Sequence, residues 1–275
     1  MVKVGYLGPP GTFGEQAALL FDPSADYVSL PSHSAVVTAV TKGEVDVGVA
    51  AIENSLEGAI GETIDSLIQH EGVMIRHELI LPVEQCLIAA AGTPMVEIEV
   101  VLSHPAALAQ CRNYLETTLP RARLEAALST AAAVASAAHT PGTAAIGTAR
   151  AAALNGATIL ARAVQDVKHN KTRFLALASA DAGPSGDDKT SVAFTVAHDR
   201  PGTLIGVLGE LSGRQINLTR IESRPSREDL GIYIFLIDFQ GHRTEASVSD
   251  AIAAVKARAH YFRLLGSYPR FVEKA

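Results

Sequence analysis

Tryptophan is absent from the 275-residue chain, cysteine occurs twice, and aromatic residues make up only 5%. Two cysteines cannot build a disulfide framework. Cys86 and Cys111 sit in apolar patterns and read as reduced core thiols. Positive charge is also short: 23 Lys plus Arg stand against 29 Asp plus Glu, a net charge of −6. That balance excludes the basic footprint of a nucleic-acid binder. No hydrophobic run is long enough to span a membrane. The longest uncharged stretch, Ala126–Ala149, is mostly Ala, Ser and Thr and is broken by His139-Thr140-Pro141-Gly142, so insertion would gain too little. The N-terminal MVKVGYLG enters a strand pattern with no apolar leader or cleavage site. The nine histidines show no HxH, HExxH or Cys/His spacing, so no built-in metal site is expected. The expectation is a cytoplasmic protein with neither nucleic acid nor membrane as partner.

What is present is core-forming material. Apolar residues reach 48%, much of it alanine, against 19% charged, which excludes a disordered chain. The length suits two domains. Up to about Ala178, short apolar runs alternate with helical patterns. The runs are Val2–Leu7, Val45–Ile52, Val73–Leu81, Gln85–Ala90, Glu97–Leu102, Ala144–Gly147 and Phe174–Ala178. The helical patterns are Phe13–Phe21, Ile60–Gln69, Pro105–Glu116, Thr130–His139 and Ala149–Asn155. Such alternation predicts an α/β layered fold with largely parallel sheets. Ser179–Asp188, small, polar and acidic, reads as a linker.

After the linker the pattern changes. Strands are expected at Thr190–Ala197, Asn217–Ser223, Ile232–Phe239 and Phe262–Tyr268, with helices at Gly202–Ser212 and Glu245–Ala259. That order is βαββαβ, the ferredoxin-like arrangement.

Several strands of the first domain end in small polar residues just before a helix. Thr12 and Glu15 have capping-box spacing. Glu53-Asn54-Ser55 follows one strand, Ser103-His104-Pro105 opens a helix with Pro in its first turn, and Ser129-Thr130 opens another. Each alone is an ordinary cap, and His104 reads as a structural partner beside one. Four in one domain point to a shared anion site at the carboxyl edge of the sheets, suited to a small substrate carrying carboxylates. Gly8-Pro9-Pro10-Gly11-Thr12 is not a Walker loop. Phe13, Gly14 and Glu15 follow where Gly-Lys-Ser/Thr is required, so ATP hydrolysis is excluded. Asn170-Lys171-Thr172-Arg173-Phe174 stands at the entrance to the last strand of this domain.

Together these segments resemble the prephenate dehydratase family over nearly the whole chain. The resemblance rests on GYLGPPGTFGEQAA (Gly5–Ala18), IENSLEG (Ile52–Gly58), SHPAALAQC (Ser103–Cys111) and QDVKHNKTRFLAL (Gln165–Leu177). PGTLIGVL (Pro201–Leu208) and INLTRIESRP (Ile216–Pro225) resemble an ACT domain. Three positions depart from the family pattern. Ala51 stands for the usual proline, Ala106 for a frequent glutamine and Thr203 for alanine, with consequences for backbone stiffness, substrate affinity and effector strength.

The resemblance implies a periplasmic-binding-protein-like catalytic domain over 1–180, with lobe 1 at about 1–81 and 164–180 and lobe 2 at about 82–163. A linker at 181–188 and a ferredoxin-like ACT domain at 189–275 follow. Chain crossings are expected near Leu81-Pro82 and Ala163–Gln165, with Asn170–Phe174 at the hinge facing the cleft. The implied activity is that of a carbon-oxygen lyase acting on prephenate to give phenylpyruvate, needing no cofactor. By the same resemblance Thr172, Asn54, Ser103 and Gln110 are catalytic, Thr172 at the departing hydroxyl. Thr12, Phe13, Ser55, Thr130, Arg173 and Phe174 bind substrate. An L-Phe effector site is implied at Gly202, Thr203, Leu204, Asn217, Leu218, Glu222, Ser223 and Arg224, in a homodimer or homotetramer. Arogenate dehydratase and a non-catalytic amino-acid sensor are the rival readings. No chorismate mutase helix bundle is expected ahead of Val2.

Overall fold

The computed structural model describes residues 1–196, 201–226 and 231–272. Among these the strands form three sheets. The chain begins with β1 (Lys3–Leu7), α1 (Phe13–Phe21), β2 (Asp26–Leu30), α2 (His33–Thr41), β3 (Val47–Asn54), β4 (Gly58–Ala59), α3 (Gly61–Gln69) and β5 (Met74–Pro82). It then crosses into a second lobe of β6 (Cys86–Ala89), β7 (Val100–Ser103), α4 (Pro105–Gln110), α5 (Arg112–Thr118), β8 (Arg123–Ala126), α6 (Thr130–Ala137), β9 (Thr143–Gly147), α7 (Ala149–Leu154) and β10 (Thr158–Ala161). β11 (Lys171–Ala178) returns to the first sheet, slotting between β3 and β5 in the order β2-β1-β3-β11-β5.

That return changes the expected sheet type. β1 runs parallel to β2 and β3, but β11 is antiparallel to both its neighbours. A strand re-entering from the far lobe has to run against the strand that left. The second sheet, β10-β6-β9-β7-β8, is mixed in the same way. At the two crossings, Val83 N–H donates to the Asn170 carbonyl and Val164 N–H to that of Gln85 (2.9 Å each). Ala163, at the return crossing, sits at φ 52°, a left-handed conformation that costs an alanine about 1 kcal/mol.

Strand alternation sorts the first lobe into two cores. Val47, Val49 and Ala51 of β3 join Phe174, Ala176 and Ala178 of β11 against α1. Ala50 and Ile52 join Leu175 and Leu177 on the other face, against α2 and α3. Each fully buried leucine contributes about 1.5–3 kcal/mol. α2 has no counterpart in the sequence reading. Its segment HSAVVTAVT is rich in β-branched residues. Ser32 caps it, accepting from Ala35 N–H, and burial of Val36, Val37 and Val40 overrides weak propensity. The helix expected over Pro105–Glu116 breaks in two at Cys111.

The C-terminal unit runs β12 (Asp188–Thr195), α8 (Thr203–Ser212), β13 (Leu218–Pro225), β14 (Tyr233–Gln240), α9 (Ala246–Arg258) and β15 (Tyr261–Pro269), in the sheet order β13-β14-β12-β15. This is the ferredoxin-like order. Ala197, the last residue of one expected strand, lies outside the described residues, as do 273–275. Both helices cover one face of the sheet. The other face is buried as well: Ala193, Leu236, Leu265 and Tyr268 enter the core of the first lobe. The linker is pinned. The Asp181 carboxylate accepts from Arg243 and from Ser267 N–H, and buried Asp188 accepts from Ser185.

A buried ionic node ties the two units together. The Arg173 guanidinium donates to Glu78 (2.8 Å), Asp238 (2.6 Å) and the Tyr268 hydroxyl (2.9 Å), while Lys189 also pairs with Glu78 (2.8 Å). Ser191 donates to Asp238 at 2.7 Å. Burial pushes the Asp238 carboxyl up, but Arg173, Arg220 and the Ser191 hydrogen bond outweigh it and leave the group below its ordinary range. Burial first, then Asp238, raises the Tyr268 phenol, which stays protonated.

Two predictions follow from this packing. Because the Asp238 pKa is lowered, its stabilisation is complete above the ordinary carboxylate value of about 3.9 and is lost as pH falls through the folded value. Asp238→Asn is expected to cost about 3–5 kcal/mol at pH 7 and to shrink the loss of stability below about pH 4, both read by urea denaturation. Cys86 and Cys111 are free and buried, and burial is the main reason their thiols are pushed up to about 11 and about 12. Ellman's reagent should react with neither in the native protein and with both after denaturation.

Candidate active site

The two lobes enclose a cavity of about 810 Å³. Lobe 1 lines it with the ends of β1, β2 and β3 and the start of α1. Lobe 2 contributes α4 and the start of α6, and the crossing strands supply Val83, Gln85 and Thr172. Two contacts hold the lobes together. On one side, Thr148 donates to the Gly11 carbonyl (2.6 Å) and Arg150 pairs with Glu15 (3.1 Å), whose carboxylate also accepts from Gly11 N–H. Gly11 has φ +92°, and an added Cβ would lie 2.9 Å from that of Ala151, so glycine is required there. On the other side, Gln110 donates to Glu57 (2.7 Å) and accepts from Asn170 (3.3 Å).

The pair at the centre is set by strand register. Asn54 of β3 lies directly opposite Thr172 of β11. The Asn54 carbonyl oxygen accepts from Leu56 N–H (2.9 Å) and Glu57 N–H (3.1 Å), which turns its amide nitrogen towards Thr172. That nitrogen donates to Thr172 Oγ1 at 2.8 Å. The hydroxyl oxygen is thus used as an acceptor, and among the described residues its proton has no partner and can be donated into the cavity. Helices α1 and α6 point their N-termini at the same space, capped by Thr12 and Ser129. Among the described residues lining the cavity there is no Lys or Arg; His104 is its one titratable group.

Comparison with known proteins agrees with this architecture. A family model described as prephenate dehydratase matches residues 4–182, and one described as ACT domain matches residues 190–257. The chain belongs to the prephenate dehydratase family. A prephenate dehydratase of Amycolatopsis methanolica is 40% identical over 274 residues, covering 98% of this chain and 89% of the relative. The crystal structure of a prephenate dehydratase from Arthrobacter aurescens in complex with L-Phe superposes with TM-score 0.90 at 34% identity, covering 98% of this chain and 90% of that one. GqqA, described as a novel type of quorum-quenching acylase, gives TM-score 0.87 at 28% identity and 97% coverage of both chains. As a member of the prephenate dehydratase family, the chain is a lyase with a C-terminal ACT domain.

The dehydratase residues expected from sequence divide into two groups. Thr172, Asn54, Gln110, Thr12, Phe13 and Thr130 line the cavity. Gln110 has both ends of its amide engaged by protein partners and acts as a link between the lobes. Four residues are placed elsewhere. Ser103 is fully buried and donates to the Ile146 carbonyl (2.7 Å). Ser55 is exposed and holds Asn170 and Lys171 N–H. Arg173, one residue after Thr172, projects from the opposite face of β11 into the ionic node, so it meets the ACT sheet and not substrate. Phe174 shares the face of Thr172 but is sealed in the core beneath the cleft.

The eight residues expected at the effector site split between two faces of the ACT sheet. Leu204 and Leu218 pack on the helix-covered side, with exposed Gly202 at the N-cap of α8 and Asn217 just ahead of β13; Thr203 opens α8. Ser223 is exposed. Arg224 instead pairs with Asp65 of α3 (3.0 Å), and Glu222 lies 3.7 Å from Arg220, which itself reaches Glu53. Arg224 and Glu222 therefore belong to the contact with lobe 1. Gln85 was read only as the first residue of the run Gln85–Ala90 and not as part of the cleft; it precedes β6 on the crossing between the sheets and lines the cavity.

The near-isosteric change Asn54→Asp keeps an acceptor for Leu56 and Glu57 N–H but offers Thr172 an acceptor in place of a donor. The threonine proton would then be drawn out of the cavity. The expected outcome is a loss of about 10²–10³ in kcat with Tm changed by only a few degrees, checked by steady-state kinetics and calorimetry.

Proposed function

We propose that the cleft converts prephenate to phenylpyruvate, with Thr172 at the departing hydroxyl, and that L-phenylalanine acts on the ACT domain as feedback effector. The observation that carries the reading is the Asn54–Thr172 pair, which leaves a hydroxyl proton facing the cavity. In the reaction the ring carboxylate leaves as CO₂ and its electron pair enters the ring. The C4–O bond breaks, and the oxygen departs as water after taking one proton. A threonine hydroxyl is too weak an acid to ionise in advance, so Thr172 acts by hydrogen bonding and concerted proton delivery, with solvent restoring the proton.

The substrate is a dianion, and the described residues lining the cavity include no Lys or Arg. The first turns of α1 and α6, at Thr12-Phe13 and Ser129-Thr130, supply N–H groups and positive dipole ends, each worth about 0.3–1 kcal/mol. Such moderate binding suits a carboxylate that must depart: a tight ion pair would stabilise the ground state more than the transition state. Aromatisation supplies the drive.

The L-Phe complex of the Arthrobacter relative supports the effector. Three exposed apolar residues of the ACT unit, Ile205, Ile221 and Tyr233, support pairing of ACT domains in a homodimer or homotetramer. The two free thiols suit the cytoplasm.

The test is turnover of purified protein on prephenate and on arogenate, with and without L-Phe. Phenylpyruvate formation that responds to L-Phe is expected, and Thr172→Val should lower kcat by about 10²–10⁴-fold with little change in KM. Preference for arogenate would keep the chemistry and change the substrate. Silence on both substrates would sink the reading, and near-normal kcat in Thr172→Val would remove Thr172 from it.

A further inference from the structure

The crossing from lobe 1 to lobe 2 carries a residue with unspent hydrogen-bonding capacity. Gln85 is buried and lines the cavity shared by Thr172 and Asn54. Its backbone is fully engaged: its N–H donates to Gln165 Oε1 (2.9 Å) and its carbonyl accepts from Val164 N–H. Its side chain is not. Among the described residues no hydrogen bond reaches the Gln85 amide, and its Oε1 is buried without a partner. A buried acceptor left unmade costs about 1–3 kcal/mol, and buried polar side chains are nearly always paired. A methionine would fill the same space without that penalty.

We infer that on substrate binding the Gln85 amide turns its oxygen, closed off in this structure, into the cavity and accepts a hydrogen bond from the leaving hydroxyl, an inference that rests on the cleft acting on prephenate. The chemistry of the substrate narrows the choice. Its two carboxylates and its keto group are acceptors only, and its ring hydroxyl is its sole donor. An orphaned acceptor in the cleft can be completed by no other part of the molecule. Thr172 offers the complementary half, a free proton for the oxygen of the same hydroxyl. Between them the two residues grip the C–O–H unit at both ends, Gln85 taking its hydrogen and Thr172 giving one to its oxygen. When the C–O bond breaks, the departing water keeps its donor contact to Gln85. Gln85 is thus a positioning residue for the leaving group and reads the one feature that the product has lost.

Loss of that feature supplies the test. Gln85→Met removes the acceptor at nearly constant volume. The expected result is a 10–100-fold fall in kcat/KM for prephenate, inhibition by phenylpyruvate within twofold of wild type, and a Tm equal to or above wild type. A second variant, Gln85→Glu, keeps an acceptor but adds a negative charge. It should raise KM while holding kcat within a few-fold, and it decides the matter should Gln85→Met not fold. Unchanged kcat/KM in Gln85→Met would overturn the inference. So would an equal loss of phenylpyruvate binding, or a collapse of kcat in Gln85→Glu at unchanged Tm. Wild-type protein silent on prephenate would instead overturn the proposed activity. In that case Gln85→Met loses its substrate and the inference falls with it, whereas an active wild type with an indifferent Gln85→Met condemns the inference alone.

Discussion

The register of β3 against β11 is the constraint on which the catalytic and regulatory halves both depend. It places Asn54 opposite Thr172 and Glu53 opposite Arg173. Successive side chains on a strand take opposite faces, so two neighbouring positions serve two different environments. Asn54 and Thr172 look into the cleft. Glu53 and Arg173 look the other way and pair with Arg220 and Asp238 of the ACT sheet. A slip of one residue would exchange the sets, burying the threonine hydroxyl and turning a guanidinium towards substrate. The hydrophobic alternation of Leu175 and Leu177 against Phe174, Ala176 and Ala178 guards against that slip along the rest of β11.

The same alternation keeps charge and chemistry apart. The strongest cation near the reaction is committed to a buried node, while the cleft works with dipoles, amides and hydroxyls. Arg173 is worth more in the node than its isolated pairs suggest, since removing either partner strands a desolvated charge. For the proposed reaction, a lining with no Lys or Arg among the described residues would spare the leaving carboxylate from being held too well.

Much of this was legible in the sequence. α1 was placed to the residue because its cap and its periodicity agree at Thr12 and Phe13, although the Glu15 carboxylate turns to Gly11 N–H and Arg150 and does not close the capping box. The βαββαβ order after Asp188 was legible for the same reason of repeated, well-separated patterns. α2 was hidden because its valines and threonines favour strands in isolation, and only the sheet beneath it makes the helix. Short edge strands such as β8 and β10 carry too little pattern to read. Motifs identified Asn54 and Thr172, but a motif names residues without their directions. Arg173 stands in a matching string yet faces away from the cleft, an outcome fixed by strand phase, while Ser103 is buried against the Ile146 carbonyl and Phe174 is buried beneath the cleft. Gln85 was legible only as the start of an apolar run, because an unsatisfied amide is a property of its surroundings.

One contact fixes how closely the ACT sheet meets lobe 1. Gly266 of β15, at φ +141°, lies against the backbone of Ile75, with no room for a side chain between the two strands. There the ACT sheet rests on the main chain of lobe 1, and Arg173 rivets the same joint. A joint without a side-chain cushion has little slack to absorb a displacement. Lobe 1 and the ACT sheet are therefore joined main chain to main chain as a single chassis, whereas lobe 2 is tied to lobe 1 by two crossing strands and by the side-chain contacts of Thr148, Arg150 and Gln110.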